Sequence, residues 1–136
     1  MANTFHAQIL TPNGKVFEGE VFGAKVPGTS GSFEMKFNHA PIISTIDIGS
    51  VRIITRDLEE HHFAVSGGFV EMNNNKMTLL AEAAEHVKNI DKDRAIRAKD
   101  RALRGINEKK PEREDLNLAL KRAQNRLKLL AKYGPG

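Results

Sequence analysis

The chain has 136 residues and a mass of 15.1 kDa, which suits one ordinary domain or one small domain with an appendage. Hydrophobic residues at 40% and charged residues at 28% are close to globular averages, which argues against global disorder, a collagen-like chain or a coiled coil alone. The longest apolar runs fall far short of the ~20 residues that a membrane span needs, and we expect no signal peptide. Because the chain contains no cysteine, disulfides and thiolate metal sites are excluded.

Charge and glycine content divide the chain near residue 91. Residues 1–91 contain 7 Lys and Arg against 11 Asp and Glu, a net charge of −4. Residues 92–136 contain 14 basic and 6 acidic residues, a net charge of +8. Eight of the 11 glycines precede residue 69, and Gly105 is the only glycine within residues 92–132. The two stretches therefore predict two different architectures.

The first stretch has the pattern of short β-strands. Phe5, Ala7 and Ile9 alternate with polar residues, which is the period of a half-buried strand. Further strands are predicted at 16–17, 21–26, 32–37, 42–48, 51–55, 63–65, 69–72 and 77–81, with turns at 12–14, 47–50, 56–60, 67–68 and 73–75. This spacing is typical of an antiparallel β-sandwich or barrel, and we assign residues 1–87 to such a domain.

From Asp91 onward the period becomes helical. Asp91 is suited to cap a first helix, residues 105–110 interrupt the pattern, and Pro111 suits the first turn of a second helix. The pattern predicts an antiparallel two-helix hairpin over residues 88–136. Its alanine-rich seam buries little area, so opening it costs only a few kcal/mol. The apolar positions are Ala95, Ala98, Ala102 and Ile106 on the first helix, and Leu116, Ala119, Ala123, Leu127 and Leu130 on the second.

No catalytic or metal-binding constellation is recognised in the sequence. Residues 19–25 have the wrong spacing for a Walker loop, and residues 64–68 resemble a nucleophile elbow around Ser66 but lack its first glycine. His61 and His62 are neighbours in a predicted strand, so their side chains point to opposite faces and cannot share a metal ion. We therefore expect neither catalysis nor a bound metal.

The basic second stretch leaves two kinds of macromolecular partner open. A positively charged hairpin is compatible with nucleic acid, but residues 92–132 contain no aromatic side chain for base stacking and no known binding motif. An acidic protein surface fits the same charge, and we do not expect nucleic acid as the partner. A free-standing nucleic-acid-binding module and a small hydrolase of the sandwich type are the alternatives to a structural subunit.

Several segments, in this order and spacing, resemble a known family over essentially the whole chain. The family is the epsilon subunit of F-type rotary ATP synthases. The segments are Thr11-Pro12 with Phe17-Glu18-Gly19, then residues 27–34 (PGTSGSFE), 38–41 (NHAP), 49–53 (GSVRI), 65–71 (VSGGFVE) and 79–85 (LLAEAAE). Each segment is weakly specific alone, but their order and the helical hairpin that follows make the resemblance strong.

The resemblance implies a rotor subunit without catalytic residues. In this family the sandwich docks on the gamma subunit and on the ring of c subunits, and it helps to couple proton-driven rotation to ATP synthesis. The hairpin either folds against the sandwich or extends along gamma towards the catalytic alpha and beta subunits, where it restrains ATP hydrolysis. The resemblance implies a place at the cytoplasmic face of a bacterial plasma membrane, attached peripherally through the complex. It leaves a plastid open as the alternative, although the arginine-rich hairpin favours a bacterium. Many members carry an acidic residue in the loop that faces the ring, where this chain has Ser32.

A sharper motif follows the predicted strands. Residues 90–95 read I-D-K-D-R-A, which is similar to the I/L-D-x-x-R-A signature of members whose hairpin binds ATP. Four guanidiniums on facing helices suit a triphosphate, because arginine forms bidentate, charge-assisted bonds with phosphate. The alternative is that Asp91 only caps the helix while the arginines are solvated or paired with Asp93 and Asp100. The resemblance implies ATP as a regulatory ligand, with no required cofactor, at Glu85, Ile90, Asp91, Arg94, Ala95, Arg101, Arg122 and Arg126.

Overall fold

The computed structural model describes residues 3–108 and 115–134. The chain divides into two compact units, of which the first ends at His86 and the second starts at Val87. The first unit is built from strands and the second from helices. The fold class predicted from the sequence, a β-domain followed by a pair of helices, is therefore confirmed.

Within residues 3–108 the first unit forms one sheet that closes on itself. Strand β1 pairs with β6 on one side and with the first half of β2 on the other, while the second half of β2 pairs with β3 and β4. This switch of partners along β2 gives the sandwich its barrel-like form. The strands are β1 (Phe5–Thr11), β2 (Gly14–Gly28), β3 (Gly31–Lys36), β4 (Ile42–Thr55), β5 (Glu60–Asn73), β6 (Lys76–Ala81) and β7 (Ala84–His86).

One pairing differs from the antiparallel prediction. Strand β1 runs parallel to β6, whereas the other pairings of the described strands are antiparallel. The antiparallel prediction is right for neighbours joined by hairpins, because a tight turn reverses the chain direction. Strands β1 and β6 are joined by no hairpin, so no turn sets their relative direction.

The core lies inside the closed sheet. The alternation predicted for β1 is confirmed, since Phe5, Ala7 and Ile9 are at most 1% exposed. The inward residues of the other strands complete this core: Val21, Ala24, Val26, Met35, Ile46, Val51, Ile53, Phe63, Val65, Val70, Met72, Met77, Leu79 and Ala81. A closed apolar interior of this kind gives the first unit its own hydrophobic stabilisation.

Two predicted turns are wrong, because β4 and β5 run continuously through them. At residues 47–50 the strand continues, and a Cβ on Gly49 would approach Pro27 Cβ to 2.8 Å, so this glycine makes room for β2. At residues 67–68 strand β5 also continues, with positive φ at both glycines. These glycines lie where β5 changes its partner from β7 to β6. In both places glycine serves close packing rather than chain reversal.

The second unit begins with a 3₁₀ turn at Val87–Asn89, followed by α1 (Lys92–Asn107) and, after the undescribed residues 109–114, by α2 (Leu116–Tyr133). Helix α1 ends at Asn107, within the predicted interruption at residues 105–110, although it continues through Gly105 and Ile106. Pro111 lies outside the described residues, and α2 is capped by Asp115, whose carboxylate accepts the backbone N–H groups of Asn117 and Leu118.

The two helices pack through small residues. Ala95 and Ala102 on α1 and Ala123 on α2 are at most 3% exposed. Gly105, near the end of α1, lies so close to Leu116 at the start of α2 that a Cβ would be 2.7 Å from the Leu116 Cδ1 atom. The helices are therefore antiparallel, as predicted. The remaining predicted seam positions are half-buried: Ala98 and Ile106 on α1, and Leu116, Ala119, Leu127 and Leu130 on α2. Leu129, outside the predicted stripe, is buried.

Candidate functional site

The I-D-K-D-R-A motif forms the start of α1. Asp91 is the N-cap, with extended backbone angles, and its carboxylate accepts the backbone N–H of Arg94 at 3.1 Å. Ile90 and Ala95 are buried, 8% and 3% exposed. Three of the four specified residues of the motif thus have a structural role in starting and packing the helix. The side chain of Arg94 is exposed, so it is the group of this motif that is accessible to a ligand.

The four arginines fall into an exposed pair and a half-buried pair. Arg94 and Arg101 are exposed on α1, and Arg122 and Arg126 are half-buried on α2. In both helices the arginines lie on the edge of the buried stripe that precedes the alanines, and in an antiparallel pair these two edges fall on the same side. Gly105 lies against Leu116, and both helices rise about 1.5 Å per residue. Measured along the helix axes, Arg101 is therefore within about one helical turn of Arg122, and Arg94 is within about one turn of Arg126.

Arg101 also belongs to an open depression on α1. The depression has a volume of about 510 Å³ and is lined by Arg97, Asp100, Arg101, Leu103, Arg104 and Asn107. The three arginines are spaced four and three residues apart, which puts them on one helix face. Under the alternative interpretation the arginines are solvated or paired with Asp93 and Asp100, and Asp100 is one carboxylate among three guanidiniums here. The net positive charge of this surface favours an anion.

Glu85 lies in the other compact unit. It belongs to β7, where its register partner is Ala64 of β5, and its side chain is half-buried. The remaining seven predicted ligand residues all lie in the helical unit. The candidate site that the helical unit supports by itself therefore consists of the arginines around the start and middle of the hairpin.

A pair of histidines was missed by the sequence analysis. The prediction that His61 and His62 point to opposite faces is consistent with the register, since His61 pairs with Ile53 and contacts Phe17, while His62 pairs with Arg52. His61 Nδ1 lies 2.9 Å from His86 Nε2. No sequence signal could have revealed this contact, because the partners are 25 residues apart and meet through the pairing of β5 with β7.

The outer face of the sheet carries an apolar patch. Phe69 of β5 pairs with Leu80 of β6 and with Thr45 of β4, and Ile43 follows two residues away on the same face. Ile43 is 71% exposed, Phe69 47% and Leu80 39%. A contiguous group of large exposed apolar side chains is typical of a protein-binding surface.

The tip of the β2–β3 hairpin is formed around Gly28 and Gly31, and a cluster of charged side chains lies beside it. Ser32 follows this tip and pairs with Pro27. Two residues later, Glu34 accepts a hydrogen bond from the Arg52 guanidinium at 2.9 Å. The carboxylate of this hairpin that is nearest to Ser32 in the sequence, that of Glu34, is thus paired with Arg52 on the outer face of the sheet. Ser32 itself contributes a hydroxyl rather than a charge at the tip.

Two further observations apply to residues 3–108 and 115–134. Neither α1 nor α2 is long and apolar enough to cross a membrane. No cluster of three or more acidic or histidine side chains in this part of the chain has the geometry of a metal site.

Two family descriptions match the chain, and they divide it where the strands give way to helices. Residues 4–87 match "ATP synthase, Delta/Epsilon chain, beta-sandwich domain", and residues 88–131 match "ATP synthase, Delta/Epsilon chain, long alpha-helix domain". The ATP synthase epsilon chain of Halalkalibacterium halodurans is 41% identical over 130 residues, covering 91% of this chain and 95% of that protein. The epsilon chain of Desulfitobacterium hafniense is 40% identical over 109 residues, covering 80% of this chain and 82% of that protein.

Two solved structures share the fold. A chain of the Euglena gracilis mitochondrial ATP synthase, in an OSCP/F1/c-ring structure, superposes with a TM-score of 0.79 at 14% identity, covering 94% of this chain and 82% of that one. A chain of the Tetrahymena thermophila mitochondrial central stalk/c-ring superposes with a TM-score of 0.53 at 14% identity, covering 96% of both. With both domains matched in order and relatives near 40% identity over most of its length, the chain belongs to the ATP synthase delta/epsilon chain family, among relatives named epsilon chains.

Proposed function

We propose that this protein is a non-catalytic rotor subunit of a bacterial ATP synthase, which couples rotation to ATP synthesis and restrains ATP hydrolysis through its helical hairpin. The observation that carries the proposal is the division of the chain. A strand unit with its own closed core is followed by a helix pair whose seam is made of alanine and glycine. A rotor subunit needs a rigid docking domain, which the strand unit provides. A regulatory subunit needs a part that opens easily, which the helix pair provides.

The apolar patch around Ile43, Phe69 and Leu80 is the surface that we assign to the gamma subunit. Stable interfaces are apolar at their centre, and the exposed apolar side chains of this patch are suited to that part of an interface. The β2–β3 hairpin tip, with Ser32, is the part that we assign to the ring of c subunits. At this contact Ser32 offers a hydroxyl group rather than a carboxylate.

The hairpin is the regulatory part. Its net positive charge favours the acidic surfaces of the catalytic beta and alpha subunits when it extends. Burial of alanine and glycine contributes little hydrophobic free energy, because each removes few apolar atoms from water. A hairpin held by such a seam separates at a modest cost, which suits a switch between a closed and an extended form.

ATP is proposed as a regulatory ligand of the closed hairpin, with no cofactor required. Arg94, Arg101, Arg122 and Arg126 lie on one side of the helix pair and would bind the phosphates. Asp91 would orient the adenine or ribose of the nucleotide. The Asp91 carboxylate is already the helix cap, so it acts on the nucleotide only with its second oxygen. The protein would then lie at the cytoplasmic face of the plasma membrane, attached through the complex.

Reconstitution tests this function. ATP synthase complexes lacking their epsilon subunit are supplied with the full chain or with residues 1–87, and proton-driven ATP synthesis and ATP hydrolysis are measured separately. The full chain is expected to restore synthesis and to slow hydrolysis. The fragment is expected to fold, as judged by circular dichroism, to restore synthesis, and to leave hydrolysis faster than the full chain does. Equal hydrolysis with both proteins would contradict the regulatory role, and failure of both to bind the complex would contradict the rotor role.

A further inference from the structure

One carboxylate lies within the apolar patch on the outer face of the sheet. Glu71 of β5 is exposed, and its register partner on β4 is Ile43. Phe69 precedes Glu71 by two residues on the same strand and pairs with Leu80 of β6. Since Glu71 itself pairs with Thr78 of β6, Leu80 is its diagonal neighbour. All three large apolar side chains of the patch are therefore neighbours of this carboxylate.

The Glu71 carboxylate has no charge partner in the described part of the chain. Among the positions directly or diagonally across from it in the described strands, Lys76 alone is basic. Lys76 is exposed, and within residues 3–108 and 115–134 it forms no ion pair with Glu71. By contrast, the Glu34 carboxylate lies 2.9 Å from the guanidinium of Arg52. In the free protein the charge of Glu71 is therefore stabilised by water.

A partner that covers the patch also removes Glu71 from water. The carboxylate lies between Ile43 on β4 and Leu80 on β6, so a surface that buries these side chains covers it as well. Burial of an ionised carboxylate is strongly unfavourable unless a cation and hydrogen-bond donors replace the lost water. A purely apolar partner surface is therefore disfavoured, and a surface that brings a cation to Glu71 is favoured.

The surface beside Glu71 has room for a long cationic side chain. An open depression of about 380 Å³ is lined by Pro41, Ile42, Ile43, Glu71, Met72 and Asn73. Glu71 is the charged residue of this lining, while Pro41 and Ile43 offer apolar surface to the methylene groups of an arginine or lysine. Arginine suits the position better, because its planar guanidinium forms two parallel hydrogen bonds with a carboxylate and is less strongly hydrated than an ammonium group.

We propose that Glu71 is the specificity-determining residue of the patch and pairs with an arginine of the gamma subunit that is flanked by apolar side chains. This inference rests on the proposed assignment of the patch to gamma. Burial of Ile43, Phe69 and Leu80 supplies the hydrophobic part of the binding free energy. Glu71 decides which surface is accepted and in which register, because a surface without the cation leaves its carboxylate buried and unpaired.

Binding of the full chain to an alpha–beta–gamma complex that lacks its epsilon subunit tests this pairing. Glu71→Gln keeps the shape of the side chain and removes its charge. Its dissociation constant is expected to rise at least about thirtyfold, because the cation of the partner is left buried and unpaired. Glu71→Lys brings two cations together and is expected to bind more weakly still. Asp57→Asn removes the same charge from the exposed loop between β4 and β5 and is expected to bind as the unmodified chain does.

The thermal midpoints of the variants separate a binding role from a structural one. Glu71 is exposed and forms no hydrogen bond or ion pair with the described residues, so Glu71→Gln and Glu71→Lys are expected to unfold at the temperature of the unmodified chain. Equal binding of Glu71→Gln and the unmodified chain would overturn the pairing and leave the rotor role intact. So would tighter binding of Glu71→Lys than of Glu71→Gln.

Two further outcomes concern the partner. Ile43→Ser is expected to weaken binding to the complex, and unchanged binding would show that the patch is not covered, which overturns the inference. A dimer of the full chain that Glu71→Gln abolishes would overturn the assignment of the patch to gamma. Failure of the unmodified chain to bind the complex would overturn the rotor role and this inference with it.

Discussion

At the scale of single residues, Glu18 is an acid whose pKa is strongly lowered by its neighbours. Its carboxylate accepts from Lys15, from Gln8 at 2.8 Å and from His6 Nε2 at 2.8 Å. These contacts, led by the hydrogen bond from Lys15, lower the pKa of Glu18 from 4.5 to about 2. All four residues lie on the exposed face of the β1–β2 pair, so the cluster ties the two strands together at the surface.

The lowered pKa of Glu18 predicts a stability that is lost in acid. The folded-state pKa of about 2 is below the ordinary value of 4.5, so the unfolded chain binds the proton more readily between these values. The contribution is therefore complete above about pH 5 and disappears as the pH falls towards 2. Urea unfolding of Glu18→Gln is expected to be less dependent on pH in this range than that of the unmodified chain. Glu71→Gln is the control, and an identical acid profile for Glu18→Gln would contradict the assignment.

Gly68 is a position where only glycine fits. Its φ is +134°, and a Cβ there would clash with the backbone carbonyl of Leu80 and lie 2.9 Å from Ala81 Cα. We expect Gly68→Ala to lower the free energy of unfolding by about 2 kcal/mol or more, since strain and a backbone clash act together. Gly14→Ala separates the two causes, because Gly14 has a φ of +124° but nothing within 4 Å of its Cβ position. Equal losses in the two variants would show that the clash is unimportant.

At the scale of elements, the two helices are stabilised differently from the strands. The strands surround large apolar side chains such as Phe5, Ile9 and Phe63, whereas the helices meet through Ala95, Ala102 and Gly105. Small residues permit close approach of two helices but leave no space for larger side chains. The seam is therefore specific in shape and weak in energy.

Overpacking the seam tests this balance. Ala123 is completely buried on α2, and Ala123→Leu is expected to destabilise the closed hairpin by about 1–3 kcal/mol. In the complex this change should favour the extended form and slow ATP hydrolysis further. The neighbouring Gln124 is exposed, so Gln124→Leu adds the same side chain without crowding the seam. The loss of helical ellipticity on heating and the hydrolysis rate are measured together. If Ala123→Leu behaves like Gln124→Leu, the seam does not control the hairpin.

At the scale of the whole molecule, ATP binding would link the two helices into one unit. A ligand that binds the closed hairpin stabilises it by its differential affinity alone. With free ATP 100-fold above the dissociation constant, this amounts to about 2.7 kcal/mol. The thermal midpoint of the full chain is therefore expected to rise with ATP, to rise less with ADP, and to respond to salt.

Paired charge-removing variants locate the site. Arg126→Ala is expected to remove most of the ATP-dependent rise, because Arg126 is half-buried at the edge of the helix seam. Lys128→Ala removes the same charge from an exposed position of α2 and should leave the rise intact. Arg104 is unsuitable as the control, since it lines the same depression as Arg101. No heat of binding at millimolar ATP, or equal losses in both variants, would leave Asp91 as a helix cap and nothing more.

Local patterns were sufficient wherever neighbours along the chain decide the structure. The alternation of Phe5, Ala7 and Ile9 predicted β1, Asp91 was predicted as a cap, and the alanine repeat predicted the antiparallel helices. The order of short motifs also identified the family over both parts of the chain. These features depend on residues a few positions apart, so they can be predicted without knowledge of the fold.

Tertiary structure decided the features that join distant residues. Gly49 and Gly68 lie in segments that the sequence predicts to be turns. In the structure the strands continue through both glycines, because Pro27 packs against Gly49 and Leu80 against Gly68. The parallel pairing of β1 with β6 and the meeting of His61 with His86 likewise bring together residues that no short pattern connects. By itself the sequence determined which stretch forms strands and which forms helices, the two-part architecture and the family. The tertiary structure decided which strands pair and which side chains meet, because those depend on free energies summed over the whole closed sheet rather than on local preference.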